Sequence, residues 1–294
     1  MKRSILLGLG LLAIAGILPA QQPAAVIDSS KTAVEYKIEV YQKENIPFKS
    51  PIPFPYVREA DVTQDWTVWR MVMLNEKQNL VLYYPTAPIG SRINLVNLLL
   101  RGVESGEINA YDPNDEYNEF SRTITMAEIE QYLGAKIDTI DVADEYGNMM
   151  RSIRETAPKT DEIKRLLIKE KWYFDRKHSV LNCRVIGICP IRVYMRDDAD
   201  ENAKPDMIKV MWIYMPEARG ILARHSVFNR FNDAQNISFD DFFMQNRYDG
   251  MIYRISNVYN NRDIREYASG LDALYEAQRI HNEIFDWEQD LWEY

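Results

Sequence analysis

The spacing of apolar residues changes several times along the chain, and each change predicts a new secondary-structure element. Residues 66–85, WTVWRMVMLNEKQNLVLYYP, hold two β-rich apolar runs around a polar turn, which is typical of two strands. Residues 93–103 have helical spacing, and GEINAYD, which starts at Gly106, is extended. Thr125, followed three residues later by Glu128, has the capping-box pattern of a helix start. The predicted order is therefore strand, strand, helix, strand, helix.

A charged connector at 138–159 precedes the second half of the chain. The next segment, TDEIKRLLIKEKWYF at 160–174, predicts a helix. SVLNCRVIGICPIRVYM, residues 179–195, predicts a long strand because β-branched residues dominate it. MIKVMWIYMPEAR, residues 207–219, is then the returning strand of a hairpin.

The final elements are a helix capped by Ser238, a strand at 251–257 and a long helix at 271–291. The apolar stripe of the long helix is Ala273, Ala277, Ile280, Ile284, Trp287 and Leu291. Together the elements predict an α+β fold of antiparallel β-hairpins packed with helices, over residues 61–294. A loosely shared order of elements in 61–137 and 160–294 suggests that this domain has two related halves.

The first 20 residues have the order of a secretory signal peptide. Lys2 and Arg3 precede an uncharged apolar run at 5–18, which is shorter than the roughly 20 residues needed to span a bilayer. We expect cleavage between Ala20 and Gln21, in preference to a retained membrane anchor. Loss of the two cations changes the formal net charge from −9 to −11, which argues against nucleic acid as a partner.

Residues 21–60 are predicted to form an extended N-terminal arm. Within it, AVEYKIEVYQ at 33–42 alternates apolar and polar residues as a short strand does. Residues 46–56, called the strap from here on, hold four prolines that exclude helix and favour a polyproline-like path. Its candidate contact side chains are Phe48, Ile52, Phe54 and Tyr56. The strap is either a docking segment or a linker, and its anchors could also fold back on their own domain, because proline content does not distinguish these cases.

The two cysteines, Cys183 and Cys189, lie in one predicted strand shortly after His178. An extended chain separates them by roughly 20 Å, and a disulfide requires Cα atoms within about 7 Å, so a bridge would need a sharp turn at Gly187. An even cysteine count in an oxidising compartment favours a bridge. The β-branched flanks favour continuous strand, and we therefore expect two free, buried thiols. His178 lies among charged residues without a nucleophile signature, so no catalysis is predicted there.

No cofactor or metal site is indicated elsewhere in the sequence. His225 and His281 have no second His or Cys at ligand spacing, and no phosphate-binding loop or G-x-S-x-G motif is present. We therefore predict no catalytic, cofactor-binding or metal-binding residues. The 18 tyrosines and 6 tryptophans of this acidic chain are residue types that anchor protein interfaces.

Five segments carry a more specific signal. They are PFPYVREADVTQDWTVWRMVMLNEKQNLVLYYP, WYFDRKHSVLNCRVIGICPI, MWIYMPEARGIL, VFNRFNDAQNISFDDFF and DLWEY. In this order, between Tyr36 and Tyr294, they resemble the GldN/PorN family of ring proteins from the gliding-motility and type IX secretion machinery.

The resemblance implies a non-catalytic periplasmic subunit at the outer membrane. Its partners would be further copies in a ring, an outer-membrane lipoprotein of the GldK/PorK type, and the periplasmic region of a GldM/PorM-type motor protein, which works with GldL/PorL. Two other classes stay open at this point. They are an exported ligand-binding module and an exported hydrolase, whose catalytic residues only the fold would bring together.

Overall fold

The computed structural model describes residues 46–90, 92–115, 118–143, 149–196, 204–229, 232 and 235–290. All of them belong to one compact unit, Tyr41–Tyr294. The predicted signal peptide, its cleavage between Ala20 and Gln21, and the alternating segment at 33–42 lie outside the described residues. The division of the chain into an arm, a domain and two related halves stays a prediction.

The predicted α+β class is confirmed. The strands are β1 Val62–Met73, β2 Ala110–Tyr111, β3 Lys136–Ala143, β4 Met149–Thr156, β5 Ile163–Asp175, β6 Val180–Tyr194, β7 Asp206–Lys209, β8 Trp212–Tyr214, β9 Ser226–Val227, β10 Ile237–Ser238 and β11 Met251–Ile255. The main sheet is antiparallel in the order β11-β1-β5-β6-β8-β2, and β7 pairs with the end of β6. β3 with β4, and β9 with β10, form two separate antiparallel pairs.

The described residues contain seven helices, and four of them begin close to residues that the sequence predicts. The seven helices are α1 Leu80–Tyr83, α2 Leu95–Glu104, α3 Met126–Tyr132, α4 Met215–Ala223, α5 Phe239–Met244, α6 Ile264–Tyr267 and α7 Leu271–Asp290. The capping box of Thr125 and Glu128 is confirmed at the start of α3. Ser238 caps α5, where its hydroxyl accepts the Asp241 amide at 3.1 Å. Such caps satisfy amides that have no partner within the helix.

Three predicted elements are wrong. Residues 160–174 form a 3-10 turn, Thr160–Glu162, and then β5 in place of a helix, because pairing with both β1 and β6 outweighs local helix propensity. The charged connector contains the β3–β4 hairpin. The second predicted strand, before Pro85, is helix α1.

The hairpin predicted after β6 is confirmed only in part. β7 returns alongside β6, but the chain then forms β8 and turns into α4, with Pro216 in the first turn of that helix. Proline is favoured in a first helical turn, because its missing amide hydrogen has no partner there.

The two faces of the sheet bury different clusters, because successive side chains of a strand point to opposite faces. On β1, Val68 and Val72 face the side that most of the helices cover. Trp69 and Met71 face the other side, where the ring of Phe120 packs near them. A Cβ atom at Gly187 would lie 2.5 Å from that ring, so glycine is required for this close approach.

The long helix α7 closes one end of the helical side. Its predicted stripe is confirmed for Ala277, Ile280 and Ile284, which are buried, while Leu291 lies outside the described residues. Trp287 makes edge-to-face contacts with Trp66 and with Phe174, both at a centroid distance of 5.2 Å. Aromatic pairs of this geometry stabilise beyond their buried area.

A buried carboxylate joins the two clusters on the helical side. Glu170 accepts the Tyr248 hydroxyl and Arg70 Nε, both at 2.9 Å, and Trp172 Nε1 at 2.8 Å. Arg70 also donates to the Gly250 carbonyl oxygen at 2.9 Å. Burial, together with this carboxylate, raises the pKa of Tyr248 well above its usual value. Tyr248 belongs to the large cluster and Trp172 packs on the α7 cluster, so Glu170 connects the two.

We expect Glu170→Ala to lower the free energy of unfolding by about 3–5 kcal/mol, because Arg70 would remain buried without its counter-charge. Glu170→Gln should lower the free energy of unfolding by less, since the amide oxygen of glutamine still accepts hydrogen bonds. Urea titration near neutral pH measures both values, with the exposed Glu59→Ala as control. A loss under about 1 kcal/mol for Glu170→Ala would contradict the role given to this residue.

Candidate interaction surface

The strap lies on its own domain from its first residue. Ile46 is buried, and the Lys49 amide donates to the Ile46 carbonyl oxygen at 3.0 Å, which closes a turn. The Lys49 ammonium forms an ion pair with Asp241 in the first turn of α5. Burial raises the pKa of Asp241, but hydrogen bonds from Lys49 and Ser238 outweigh burial and hold this pKa below its usual value.

A buried arginine of α4 holds the middle of the strap. Arg219 Nε donates to Asp240 at 2.8 Å, and Nη2 donates to the same carboxylate at 3.1 Å, which is a bidentate pair between two buried side chains. Nη2 also donates to the Ile52 carbonyl oxygen at 2.5 Å. The strap is thus bound through its main chain at this point.

Phe54 lies between two guanidinium groups. Arg219 Cζ is 4.2 Å from the centre of the Phe54 ring, and Arg184 Cζ of β6 is 4.7 Å from it. Arg184 Nη2 also donates to the Pro55 carbonyl oxygen at 2.9 Å. Cation–π contacts of this kind contribute about 0.5–1 kcal/mol each at exposed sites and more when desolvated. We call Arg184 and Arg219 together with Phe54 the clamp.

The remaining apolar side chains of the strap point away from the domain. Phe48 is 88% exposed, Ile52 68% and Tyr56 89%. Large apolar side chains that are this exposed are found at protein interaction sites. Phe54 differs from the other three candidates, and we assign it to holding the strap and not to partner contact.

The segment with the cysteines forms a hairpin. Both cysteines are free and lie on the same continuous strand, β6, with Cys189 buried and Cys183 half-buried. Burial raises the pKa of Cys189 to about 12, and burial followed by the charge of Glu170 raises that of Cys183. Both thiols are therefore protonated near neutral pH, and a protonated thiol is a poor nucleophile.

His178 lies in the turn before β6, where its Nδ1 is 2.6 Å from the Asp175 carboxylate. Hydrogen bonds from His178 lower the pKa of Asp175, partly against burial. This contact stabilises the turn locally, because Asp175 lies only three residues before His178.

The described residues hold no group of three or more His, Cys, Asp or Glu side chains placed to bind a metal ion. None of the helices found in the described ranges has the length and apolar character needed to cross a membrane.

A partly open cavity of about 460 Å³ lies beside α1 and α5. Its lining includes Val81, Phe228, Phe242 and Arg247.

The clamp was not predicted from the sequence. Arg184 and Arg219 lie 129 and 167 residues away from the strap residues whose carbonyl oxygens they bind. The segment MPEARGILA contains one weak signal. Arg219 lies among the apolar residues of this helix, and a buried arginine requires a partner.

Comparison with protein-family models matches residues 57–293 to the model described as "Gliding motility associated protein GldN". The match covers β1 to α7 and starts immediately after the strap. A comparison with curated proteins finds no match.

Phe54→Ala should loosen the strap and lower the free energy of unfolding by about 1–3 kcal/mol, because it removes a packed ring and two cation–π contacts. Phe48→Ala is the matched control, since its side chain is 88% exposed and should change stability by less than about 0.5 kcal/mol. Chemical denaturation gives both values, and hydrogen exchange of the strap amides reports the local loosening. Equal effects of the two substitutions would contradict the clamp.

Lys49→Met should raise the pKa of Asp241, because burial then acts with one opposing group fewer. Because the pKa of Asp241 is lower in the folded state, its carboxylate stabilises the fold at pH values above its usual pKa of 3.8. This stabilisation is lost as the pH falls through the folded pKa. In the variant, the loss of stability should begin at a higher pH. An NMR titration of the Asp241 carboxyl carbon tests this, with the exposed Lys77→Met as control, and an unchanged pKa would show that Lys49 does not contact Asp241 in solution.

Proposed function

The chain belongs to the GldN family of gliding-motility-associated proteins, and on this premise we propose that it is a non-catalytic structural subunit of the type IX secretion and gliding-motility machinery. In this role it forms a periplasmic ring together with an outer-membrane lipoprotein. Association with gliding motility and type IX secretion follows from the family itself. The ring, its partners and the location are the proposal.

The clamped strap is the observation that carries the proposal. A segment with four prolines loses little conformational entropy on docking, and the clamp fixes it further before any partner arrives. Phe48, Ile52 and Tyr56, called the row from here on, are exposed side chains on a main chain that is already held within the monomer. Extended segments with preset side chains are a common way of recognising a protein partner.

We propose that this row contacts the GldK/PorK-like lipoprotein, which would hold the subunit at the outer membrane. Further copies of the chain complete the ring, and the periplasmic region of a GldM/PorM-like motor protein engages it. The acidic net charge favours basic protein surfaces as partners. The signal-peptide order of the first 20 residues supports a periplasmic location.

The chemistry of the chain supports a non-catalytic role. Both thiols have raised pKa values, and His178 is held by the neighbouring Asp175 carboxylate. Neither arrangement supplies an activated nucleophile with its base.

A ligand-binding module is the second candidate, and the cavity beside α1 favours it. Its volume of about 460 Å³ is within the usual range of small-molecule sites. Phe228 and Phe242 in its lining are the aromatic side chains that such sites commonly contain. A ligand-induced rise in thermal midpoint that Phe242→Ala abolishes would support this reading. A hydrolase has no comparable observation in its favour.

We expect the triple substitution Phe48→Ala, Ile52→Ala and Tyr56→Ala to prevent assembly with the lipoprotein while the monomer stays folded. The three side chains lie in solvent, so their removal should leave the thermal midpoint nearly unchanged. Co-purification of the two proteins and light scattering of the mixture measure assembly, and a secretion assay in cells measures function.

The control is Ile89→Ala, which removes a side chain that is 67% exposed elsewhere on the domain. Normal assembly of the triple variant would show that the strap is not the contact. Assembly lost together with the thermal midpoint would mean that the row stabilises the monomer, which also contradicts the proposal.

A further inference from the structure

The cavity beside α1 and α5, of about 460 Å³, has apolar walls and charged residues of one sign. Val81, Phe228 and Phe242 are among its apolar walls, and its charged residues are Lys77 and Arg247. Of the described residues that line it, none is Asp or Glu. The whole chain has 44 acidic residues against 35 basic ones, so a lining with two cations and no acid runs against its overall charge. The cavity therefore favours an anion.

The position of Arg247 is fixed by residues around the cavity. Its amide donates to the Phe242 carbonyl oxygen at 3.1 Å, and its own carbonyl oxygen accepts Gln78 Nε2 at 2.9 Å. On the side chain, Nε donates to the Gln245 amide oxygen at 2.6 Å. Neither terminal nitrogen of the guanidinium has an acceptor among the described residues. Those two nitrogens form a planar fork that matches a carboxylate or a phosphate.

A buried asparagine joins the two loops that carry the cations. Asn79 Nδ2 donates to the Met73 carbonyl oxygen at 2.9 Å and to the Asp249 carbonyl oxygen at 2.8 Å, and its Oδ1 accepts the Asp249 amide at 3.1 Å. Lys77 lies two residues before Asn79, and Arg247 lies two residues before Asp249. Lys77 has no ion pair with any other described residue. Both cations are thus placed at the cavity by the fold itself, and neither is neutralised by a described acid.

We propose that the cavity binds an anionic amphiphile, which is a small molecule with a carboxylate or phosphate at one end of a single apolar chain. The headgroup pairs with the terminal nitrogens of Arg247 and with the Lys77 ammonium, and the apolar chain lies against Phe228 and Phe242. The volume of about 460 Å³ equals roughly 15 water-sized groups, which corresponds to a chain of medium length. Burial of the chain supplies affinity, and the two cations supply selection for charge.

This inference goes beyond the proposed function, because the site lies within one subunit and needs no partner protein. It also differs from the second candidate function, since a chain that binds the amphiphile keeps its structural role.

Calorimetric titration of the chain from Gln21 to Tyr294 tests the site, with decanoate as the carboxylate probe and decyl phosphate as the phosphate probe. We expect saturable binding of one molecule per chain below about 1 mM for at least one of them, and the tighter probe identifies the headgroup. Decyltrimethylammonium, with the same chain and the opposite charge, should not bind, and neither should acetate, which has no chain. Equal binding of the cationic amphiphile, or no binding of either anionic probe, would overturn the inference.

Two charge variants locate the headgroup. Arg247→Gln and Lys77→Gln should each weaken binding of the anionic probe about tenfold or more, because each removes a charge-assisted hydrogen bond. Both side chains are exposed, so the thermal midpoint should stay nearly unchanged. Arg265→Gln, exposed and outside the lining, is the matched control and should bind as the unmodified chain does. Unchanged affinity in both charge variants would show that the anion does not bind at this cavity.

The ionisation of the probe gives a second readout. A carboxylate beside two cations is stabilised in its charged form, so NMR of decanoate labelled at its carboxyl carbon should give a lower pKa for the bound probe than for the free one. Arg247→Gln should reduce that difference, and Arg265→Gln should leave it unchanged. A bound pKa equal to or above the free value would contradict the pairing with the two cations.

The outcomes also separate this inference from the proposed function. If neither anionic probe binds while the triple strap variant still loses assembly with the lipoprotein, the cavity inference is wrong and the proposed function stands. If an anionic probe binds as expected while the strap variant assembles and secretes normally, the proposed function fails and the cavity inference stands.

Discussion

The Glu170 carboxylate is the contact on which the two parts of the helical side depend. Its oxygens accept hydrogen bonds from Arg70, Tyr248 and Trp172, which come from β1, from the loop after α5, and from β5 itself. A buried charge costs several kcal/mol unless it is paired and its remaining lone pairs are filled. Because every one of these donors must be in place, the arrangement favours one register of β1 against β5 and one position for the chain before β11. It therefore specifies the fold as well as contributing to stability.

The same principle recurs where the strap meets the domain. Arg219 is fixed by its bidentate pair with Asp240, and it uses a remaining donor for the Ile52 carbonyl oxygen. The strap is held through main-chain oxygens, the buried Ile46, the Lys49 ion pair and the ring of Phe54. The exposed side chains of Phe48, Ile52 and Tyr56 are therefore not needed for attachment. Phe48, Ile52 and Tyr56 of this chain can therefore be substituted without changing how the strap is held.

The sequence predicted the elements whose signals are local. The capping box at Thr125, the helix cap at Ser238, the strand with both cysteines and the described part of the α7 stripe depend on neighbouring residues along the chain, and the structure confirms them. β5 was missed because IKRLLIKEKWYFD is rich in Lys, Glu and Leu, which favour helix when considered alone. Its pairing with β1 joins residues about a hundred positions apart, and no local pattern reports that. The clamp was missed for the same reason. Whether the exposed side chains of the strap contact a partner stays a prediction.

The position of β1 in the sheet also affects how the chain folds. Arg70 reaches its partners 100 residues later at Glu170 and 180 residues later at Gly250. Contacts this far apart in sequence raise the contact order of the domain, and a higher contact order slows folding because long loops must close before their contacts form. A ribosome-bound chain that ends before Met251 leaves one side of β1 without its partner strand. The unpaired backbone groups of β1 then promote aggregation until β11 emerges and pairs with them.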